Sequence, residues 1–492
     1  MLTHSSQQPV LVGVGVASQR QDDPRQALEP IQLMLAAIRS AAKDAGDSEM
    51  LRRIDVISVP RGMWSYSNPA GWLAQTLGAY PKTVLGEIGV LQQTLIGDAC
   101  RRIAGGKAEI VVVVGGEAKY RQLRASILGV DVEDLMTEGE PDELLKPEAE
   151  LWSPIEAAAG LGMPVGYYAL MESALRAKLG ESIEGNQNTL AQLYARFSAV
   201  AVRNEDAWDR QAYSAEDILS VEGSNRMLAF PYTKRHNSQW NVDQASALIF
   251  CSEALAHNLG LDQEKWVYPL ASTESNHMVN TAQRADIAAC PGARIAAEAA
   301  LDHAGLSIDE MDFLELYSCF PAAVRSFAHE LGVPLSTDLT VTGGMPFGGG
   351  PLNNFVLQAT AKLAQCIRAK GSGRGLVSSV SGMNTKQGFG LWSAQPEAEF
   401  HYMDVSERVA SESEERTLVE PRTGEALVLA ITVLFDRGEP QRAVAIVEYG
   451  SDRSVVSSDQ PAVMECVMSE ECVGRRIMVN SSGQFTFSNA PD

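Results

Sequence analysis

The segment Val356–Gly382 (VLQATAKLAQCIRAKGSGRGLVSSVSG) repeats, without a gap, a segment 266 residues earlier, Val90–Gly116 (VLQQTLIGDACRRIAGGKAEIVVVVGG). The two agree at Val90/Val356, Leu91/Leu357, Gln92/Gln358, Thr94/Thr360, Cys100/Cys366, Arg102/Arg368, Gly105/Gly371, Val111/Val377, Val114/Val380 and Gly116/Gly382, ten of 27 positions. Each copy reads as a helix, a glycine break and an apolar β-branched run closing on glycine. In the first these are Leu91–Ala104, Gly105-Gly106, Glu109–Val114 and Gly115-Gly116. One αβ unit made twice implies two related halves packed about a pseudo-two-fold axis, with their loops converging on a shared site.

Working outward, Val10–Gly15 reads as a buried strand, residues 28–45 as a helix, and Ile54–Val59 and Lys82–Gly89 as further strands. The Gly13-x-Gly15 pair begins like a dinucleotide fingerprint, but Ser18 stands where its last glycine belongs, so a structural turn is the better reading. The second half begins near Trp266, with strands at Val267–Ser272 and Phe313–Tyr317, helices at Pro291–Ala304 and Phe320–Leu331, and an extended Leu339–Thr342. Then come five glycines in the eight positions Gly343–Gly350, a loop in which backbone approaches a neighbour or ligand closely.

Inserted in the first half after Glu117, Asp131–Glu150 carries nine acidic residues and one lysine, with Pro141, Pro147 and Pro154 in or near it, and reads as a solvated excursion. Helices at Pro164–Leu179 and Thr189–Ala201 precede a strand at Val242–Cys251. Beyond Gln395 the runs Ala426–Phe435, Ala443–Tyr449 and Arg476–Val479 predict a small β domain. The expected division is 1–117 with 236–262 as one half, 118–235 as an inserted domain, 263–396 as the second half and 397–492 as the added β domain.

At 492 residues the chain is long enough for several domains with ample core. A net charge of −22 argues against electrostatically driven nucleic-acid binding, and an oligonucleotide-binding (OB-like) barrel at the C-terminus is expected as a shape rather than as that function. No apolar run reaches the roughly 18–20 residues of a membrane helix, and the polar start Met1–Gln8 is unlike a signal peptide, so no membrane association and a cytoplasmic setting are expected. Seven cysteines without CxxC spacing read as reduced core thiols, and seven histidines without ligand spacing predict no metal site.

Taken together, the repeat copies, the strand Ile110–Glu117 ending Gly-Gly-Glu, the segment Phe230–Lys234 leading to Val242–Leu248, and the loop Gly343–Leu352 resemble the thiolase superfamily. The match is to the type 1 thiolase-like proteins often labelled acetyl-CoA acetyltransferase, which add a small C-terminal β domain. The resemblance implies an α/β fold, a five-layered αβαβα duplication with an inserted loop domain, and acyl-CoA chemistry of the lipid-metabolic kind. Family catalysis uses an acylated cysteine, an Asn or His with a second His, and a second cysteine, because thioester exchange needs a thiolate and a held oxyanion.

In the family's register those positions hold Gly89, the stretch Tyr317-Ser318-Cys319-Phe320, Gly349-Gly350-Pro351 and Val380-Ser381-Gly382. None of the four expected side chains is present, and conventional thiolase turnover is not expected. Cys319 is the candidate substitute nucleophile, Tyr317 a candidate oxyanion donor, and His277 the histidine placed nearest the cleft. Gly89, Gly349, Gly350, Asn353, Asn354, Ser381, Asn384 and Lys386 are the candidate pocket residues; a small buried turn or exposed loop polarity explains them equally. Three functions stay open. The chain binds CoA or an acyl-CoA thioester without turnover, or transfers acyl groups through Cys319, or serves as a non-catalytic scaffold docking a partner protein through its C-terminal domain. A homodimer through the strand Lys82–Gly89 is also open. No cofactor is required beyond CoA or acyl-CoA as ligand.

Overall fold

A computed structural model describes residues 7–487; residues 1–6, most of the polar start read above, and 488–492 lie outside the described residues. The first half contains β1 (Pro9–Gln19), α1 (Pro30–Ala45), β2 (Val56–Pro60), α2 (Pro69–Leu77), β3 (Lys82–Gly86), α3 (Gln92–Ala104) and β4 (Ile110–Ala118). An excursion follows, with α4 (Lys119–Leu128), β5 (Glu143–Leu145), α5 (Pro154–Ala158), α6 (Pro164–Leu179), α7 (Ile183–Arg203), α8 (Ala215–Leu219), β6 (Met227–Ala229) and β7 (Tyr232–Thr233). The chain returns as β8 (Asp243–Ser252) and α9 (Glu253–Asn258).

The second half holds β9 (Tyr268–Ser275), α10 (Pro291–Ala304), β10 (Phe313–Glu315), α11 (Pro321–Glu330), α12 (Gly344–Phe347), α13 (Phe355–Lys370), β11 (Arg374–Ser381), β12 (Lys386–Ser393) and β13 (His401–Asp404). After α14 (Ser406–Glu412) come β14 (Thr417–Leu418), β15 (Gly424–Asp436), β16 (Glu439–Tyr449), β17 (Asp452–Ser458), α15 (Pro461–Ser469), β18 (Arg476–Val479) and β19 (Phe485–Phe487).

The duplication is visible in the sheets. The first runs β1-β8-β4-β2-β3 and the second β9-β12-β11-β10, the repeat strands β4 and β11 holding the same place in each. A bridge between Leu11 and Val267 joins the two, with Leu11 N–H donating to Val267 O at 2.9 Å. Helix α1 packs on β1, β8 and β4, α10 packs on β9 and β12, and the repeat helices α3 and α13 touch strands of both sheets. The order is therefore helix, sheet, helices, sheet, helix. Gly13 and Gly15 serve this packing, since a Cβ at either would overlap the α1 backbone at Ala41 and Ala37. They are a helix-contact device and not a nucleotide turn.

Two expectations change. Leu339–Thr342 forms no ladder; its one strand-like link is Leu316 N–H to Leu339 O at 3.0 Å, because its neighbours Thr340 and Thr342 turn to the Glu315 carboxylate instead. The acidic stretch is not simply solvated. Its Glu143–Leu145 pairs in parallel with Val84–Gly86 as an added edge strand, fastened by Asp142 accepting from Thr83 N–H and Oγ1–H, both at 2.8 Å, and by Lys82 and Arg102 on Glu143.

The third sheet has its own core, including Val428, Val433, Ala445, Val456 and Ile477. Its order β17-β16-β15-β18-β19 nearly closes on itself through a parallel bridge between Ser457 and Gln484. This five-stranded barrel rests on the excursion, where Ile431 N–H donates to Ser173 Oγ at 2.9 Å and β6 pairs with β15. Among the described residues no helix is long and apolar enough to cross a membrane.

An edge already covered by β5 cannot pair with a second copy. Light scattering is expected to return the 53.0 kDa monomer, and replacing 141–145 by a Gly-Ser linker to expose β3 and produce concentration-dependent association; a wild-type dimer retaining exchange protection in β5 would contradict this.

Candidate functional site

The loops that follow the strand ends of the first half, and those of the second, meet where α3 and α13 begin. Gly89 lies just before α3 with φ of +104°, a left-handed conformation that glycine tolerates and other residues resist. Its carbonyl points into the interface between the halves and accepts from Ser381 Oγ–H at 3.1 Å and from Lys386 Nζ at 2.6 Å. A Cβ at Gly89 would lie 3.0 Å from Pro147 Cγ and 3.4 Å from Leu151 Cδ1. The space a side chain would use is filled by the excursion.

Lys386, at the start of β12, is 3% exposed. Burial pulls its ammonium below the usual lysine range, opposed by the charges of Glu274 and Glu148. It makes no ion pair among the described residues, so the Gly89 carbonyl is its principal partner. Glu274 is itself tied to Tyr402 Oη–H at 2.6 Å and to Thr94 Oγ1–H.

Tyr317 and Cys319 follow β10. The Cys319 thiol is buried against Tyr168; burial pushes it up to about 12, and its one side-chain partner is a tyrosine hydroxyl rather than a base. Burial thus favours the protonated thiol at neutral pH. Burial also raises Tyr317, whose ring meets Phe355 edge-on at 5.9 Å, while its N–H donates to Ser378 Oγ at 2.7 Å.

The glycine-rich loop is held rather than open. Gly350 N–H donates to Gln239 O at 2.9 Å, Gln244 Nε2–H and Gln358 Nε2–H both reach Gly348 O, and a Cβ at Gly349 or Gly350 would overlap Gln244 or Ser238. Asn353 donates to Arg61 O, and Asn354 Oδ1 accepts from Ser246 N–H at 3.0 Å, so both amides fasten the second half to the first. Asn384, with φ of +57°, accepts through its carbonyl from Gln387 Nε2–H at 2.9 Å. His277 faces Glu415, Nε2 to Oε1 3.6 Å, beside a cavity that Asn384 also lines.

Gly89, Ser381 and Lys386 are thus brought together, Asn353 and Asn354 act as fasteners, and Asn384 lines the neighbouring cavity. Pro147 and Leu151, which fill the space beside Gly89, carried no signal in the sequence beyond the proline itself. Glu117, read only as the end of a strand, is 1% exposed, accepts from Met63 N–H at 2.6 Å through Oε1, and leaves Oε2 without a partner.

No protein-family model matches the chain. No curated protein matches it. Among solved structures it is similar to a monomeric SCP2-thiolase-like protein type 1 from Mycobacterium smegmatis, at TM-score 0.84 and 25% identity, covering 99% of this chain and all of that one. The chain is thiolase-like in fold over its whole length. An Ltp2–ChsH2(DUF35) aldolase (TM-score 0.58) and an acetyl-CoA acetyltransferase from Syntrophomonas wolfei (0.55), each 17% identical, share the fold over 79% of this chain and 98% and 99% of their own. At 99% coverage the thiolase-like type 1 match takes in the C-terminal barrel as well.

Two outcomes follow for this thiolase-like chain. Gly89→Ala is expected to lose about 1–3 kcal/mol in urea denaturation from its left-handed backbone alone, with further loss from the Pro147 contact. Burial raises Glu117 to about 7 from 4.5. The folded state therefore keeps a proton that the unfolded chain has released, so this contribution is full below about pH 4.5 and lost as pH rises through about 7, roughly 3 kcal/mol in all. Glu117→Gln is expected to flatten that part of the stability profile; an unchanged slope would show that Glu117 is ionised throughout.

Proposed function

We propose that the protein is a thiolase-like chain without the superfamily's cysteine turnover, which holds CoA or an acyl-CoA thioester rather than converting it. The observation that carries the first part is the Gly89 clamp. Where the family register puts an acylated thiol there is a carbonyl bonded to Ser381 and Lys386, with Pro147 and Leu151 in the side-chain space. A backbone carbonyl cannot attack a thioester, and no thiol stands beside a base there. The thioester end of a ligand reaches Gly89 only by displacing Pro147 and Leu151. Glu148 and Glu150, which border the outer cavity with Ile88 and Trp152, would repel the CoA phosphates and count against a CoA path through that cavity.

The remaining features fit a cytoplasmic chain. All seven cysteines are free. In the barrel, α15 sits between the third and fourth strands, which supports an OB-like reading.

A scaffold role is the second reading, favoured by the way the barrel is fixed to the excursion through Ser173 and through Arg176 on Glu471 at 3.0 Å. The Ltp2–ChsH2(DUF35) aldolase is by its name an assembly of two components. Acyl transfer through Cys319 is the least supported, given its protonated thiol.

Titration calorimetry with CoA and acetoacetyl-CoA, beside a thiolysis assay, separates these readings. Saturable binding without cleavage is expected, and stronger binding in Leu151→Ala; absent heat and absent thermal shift would leave the scaffold, and cleavage would sink the proposal.

A further inference from the structure

We propose that a cavity at the N-terminus of α10, apart from the Gly89 clamp, binds a small carboxylate that also carries a hydroxyl or amino group. The cavity, of about 280 Å³, lies between the second half and the segment around α14. That is below the roughly 300–1,000 Å³ of pockets for drug-sized ligands, so the occupant is small.

Its electrostatics select an anion. Arg284 lines it, is 9% exposed, and donates to Met383 O and weakly to Met171 Sδ at 3.7 Å. Among the described residues no carboxylate lies within ion-pair distance of this guanidinium. The first turn of the 14-residue α10 opens on the same space and has no acidic residue of its own, but its N-cap is already met by the Glu330 carboxylate, which accepts from Cys290 N–H at 2.7 Å, so Arg284 is the cation left for an anionic ligand.

The acidic groups at the rim are already matched by cations. Asp286 pairs with Lys178 at 2.7 Å, Glu412 with Arg408 at 2.9 Å and Arg294 at 3.2 Å, and Glu414 with Arg416 at 3.3 Å. Among the charged residues lining the cavity, Arg284 is thus the one without an ion-pair partner, the buried Glu156 carboxylate acting on it only at longer range.

Two buried amides define the rest of the ligand. Asn384 and Gln387, 2% and 3% exposed, both line the cavity, and Asn384 Oδ1 and Gln387 Oε1 have no hydrogen-bond partner. A buried acceptor left unpaired is costly, and a hydroxyl or ammonium on the ligand would satisfy it. The carboxylate then faces Arg284 while the donor meets the amides. On the barrel side, Arg453 donates to Arg284 O and to Ala285 O at 2.7 Å, so the site sits at the joint between the barrel and the second half.

This site is independent of thioester binding and is tested separately. The full-length chain is titrated with L-lactate, L-alanine, acetate and glycerol at constant ionic strength, by calorimetry and thermal unfolding. Lactate or alanine is expected to bind saturably and raise Tm, acetate more weakly, glycerol not at all. Arg284→Met is expected to weaken binding at least about tenfold. Because Arg284 also supports the fold, Ala289→Phe, which fills the cavity from its wall, serves as a second variant and is expected to abolish binding. Glycerol acting as strongly as lactate, no response to either acid, or wild-type affinity in Ala289→Phe would each overturn the proposal.

Discussion

Two helices with a sheet on either side are covered along all but their C-terminal ends, and the rest of this molecule answers to that constraint. Polar groups on α3 and α13 must find partners inside the protein, because an unpaired buried one costs about 1–3 kcal/mol. Gln92 accepts from Val356 N–H at 2.9 Å, capping the second repeat helix with a side chain of the first, and Gln93 donates to Ser272 Oγ at 2.8 Å. Close approach is managed by small residues: a Cβ at Gly97 would overlap Ser272 and Tyr402. The central layer therefore holds the halves in one register as well as filling the space between them.

The copies have diverged within that register. Gln92 and Gln358 are identical in sequence, yet the first caps the opposite helix and the second reaches Gly348 O in the glycine loop. Arg102 pairs with Asp98 and Glu143 and so anchors the added edge strand, whereas Arg368 reaches Asp44 at 2.7 Å and ties the second half to α1. An ancestral residue keeps its position by duplication and its role by whichever neighbour the other half supplies.

How far the sequence could be read follows from the same distinction. Repeat periodicity, glycine breaks and β-branched runs are local, so the paired strands β4 and β11, the excursion and the separate barrel strands were legible. The β5 edge was not, because Leu144-Leu145 is a two-residue apolar island in an acidic run, and only the exposed edge of β3 makes a strand of it. Likewise His277 and Cys319 stood out as reactive types, but reactivity depends on surroundings. The thiol is protonated by burial against Tyr168, and the imidazole faces Glu415 at the rim of a different cavity. Lys386 was legible only as a polar loop residue. Its meaning comes from a carbonyl 297 residues away.

On the reading proposed for this thiolase-like chain, a glycine in place of a reactive thiol leaves two physical problems. One is empty space at the meeting of the halves, which forfeits packing; the other is a set of buried polar groups aimed at a missing partner. Filling the space alone leaves the second unsolved. Pro147 and Leu151 supply bulk without hydrogen-bonding side chains, and Lys386 and Ser381 supply donors to the one carbonyl that faces them. The buried ammonium is tolerable because the nearby carboxylates Glu274 and Glu148 offset part of its desolvation. Each element needs the others. Without the left-handed turn at Gly89 the carbonyl would not face Lys386, and without the excursion the lysine would meet water instead of a closed joint.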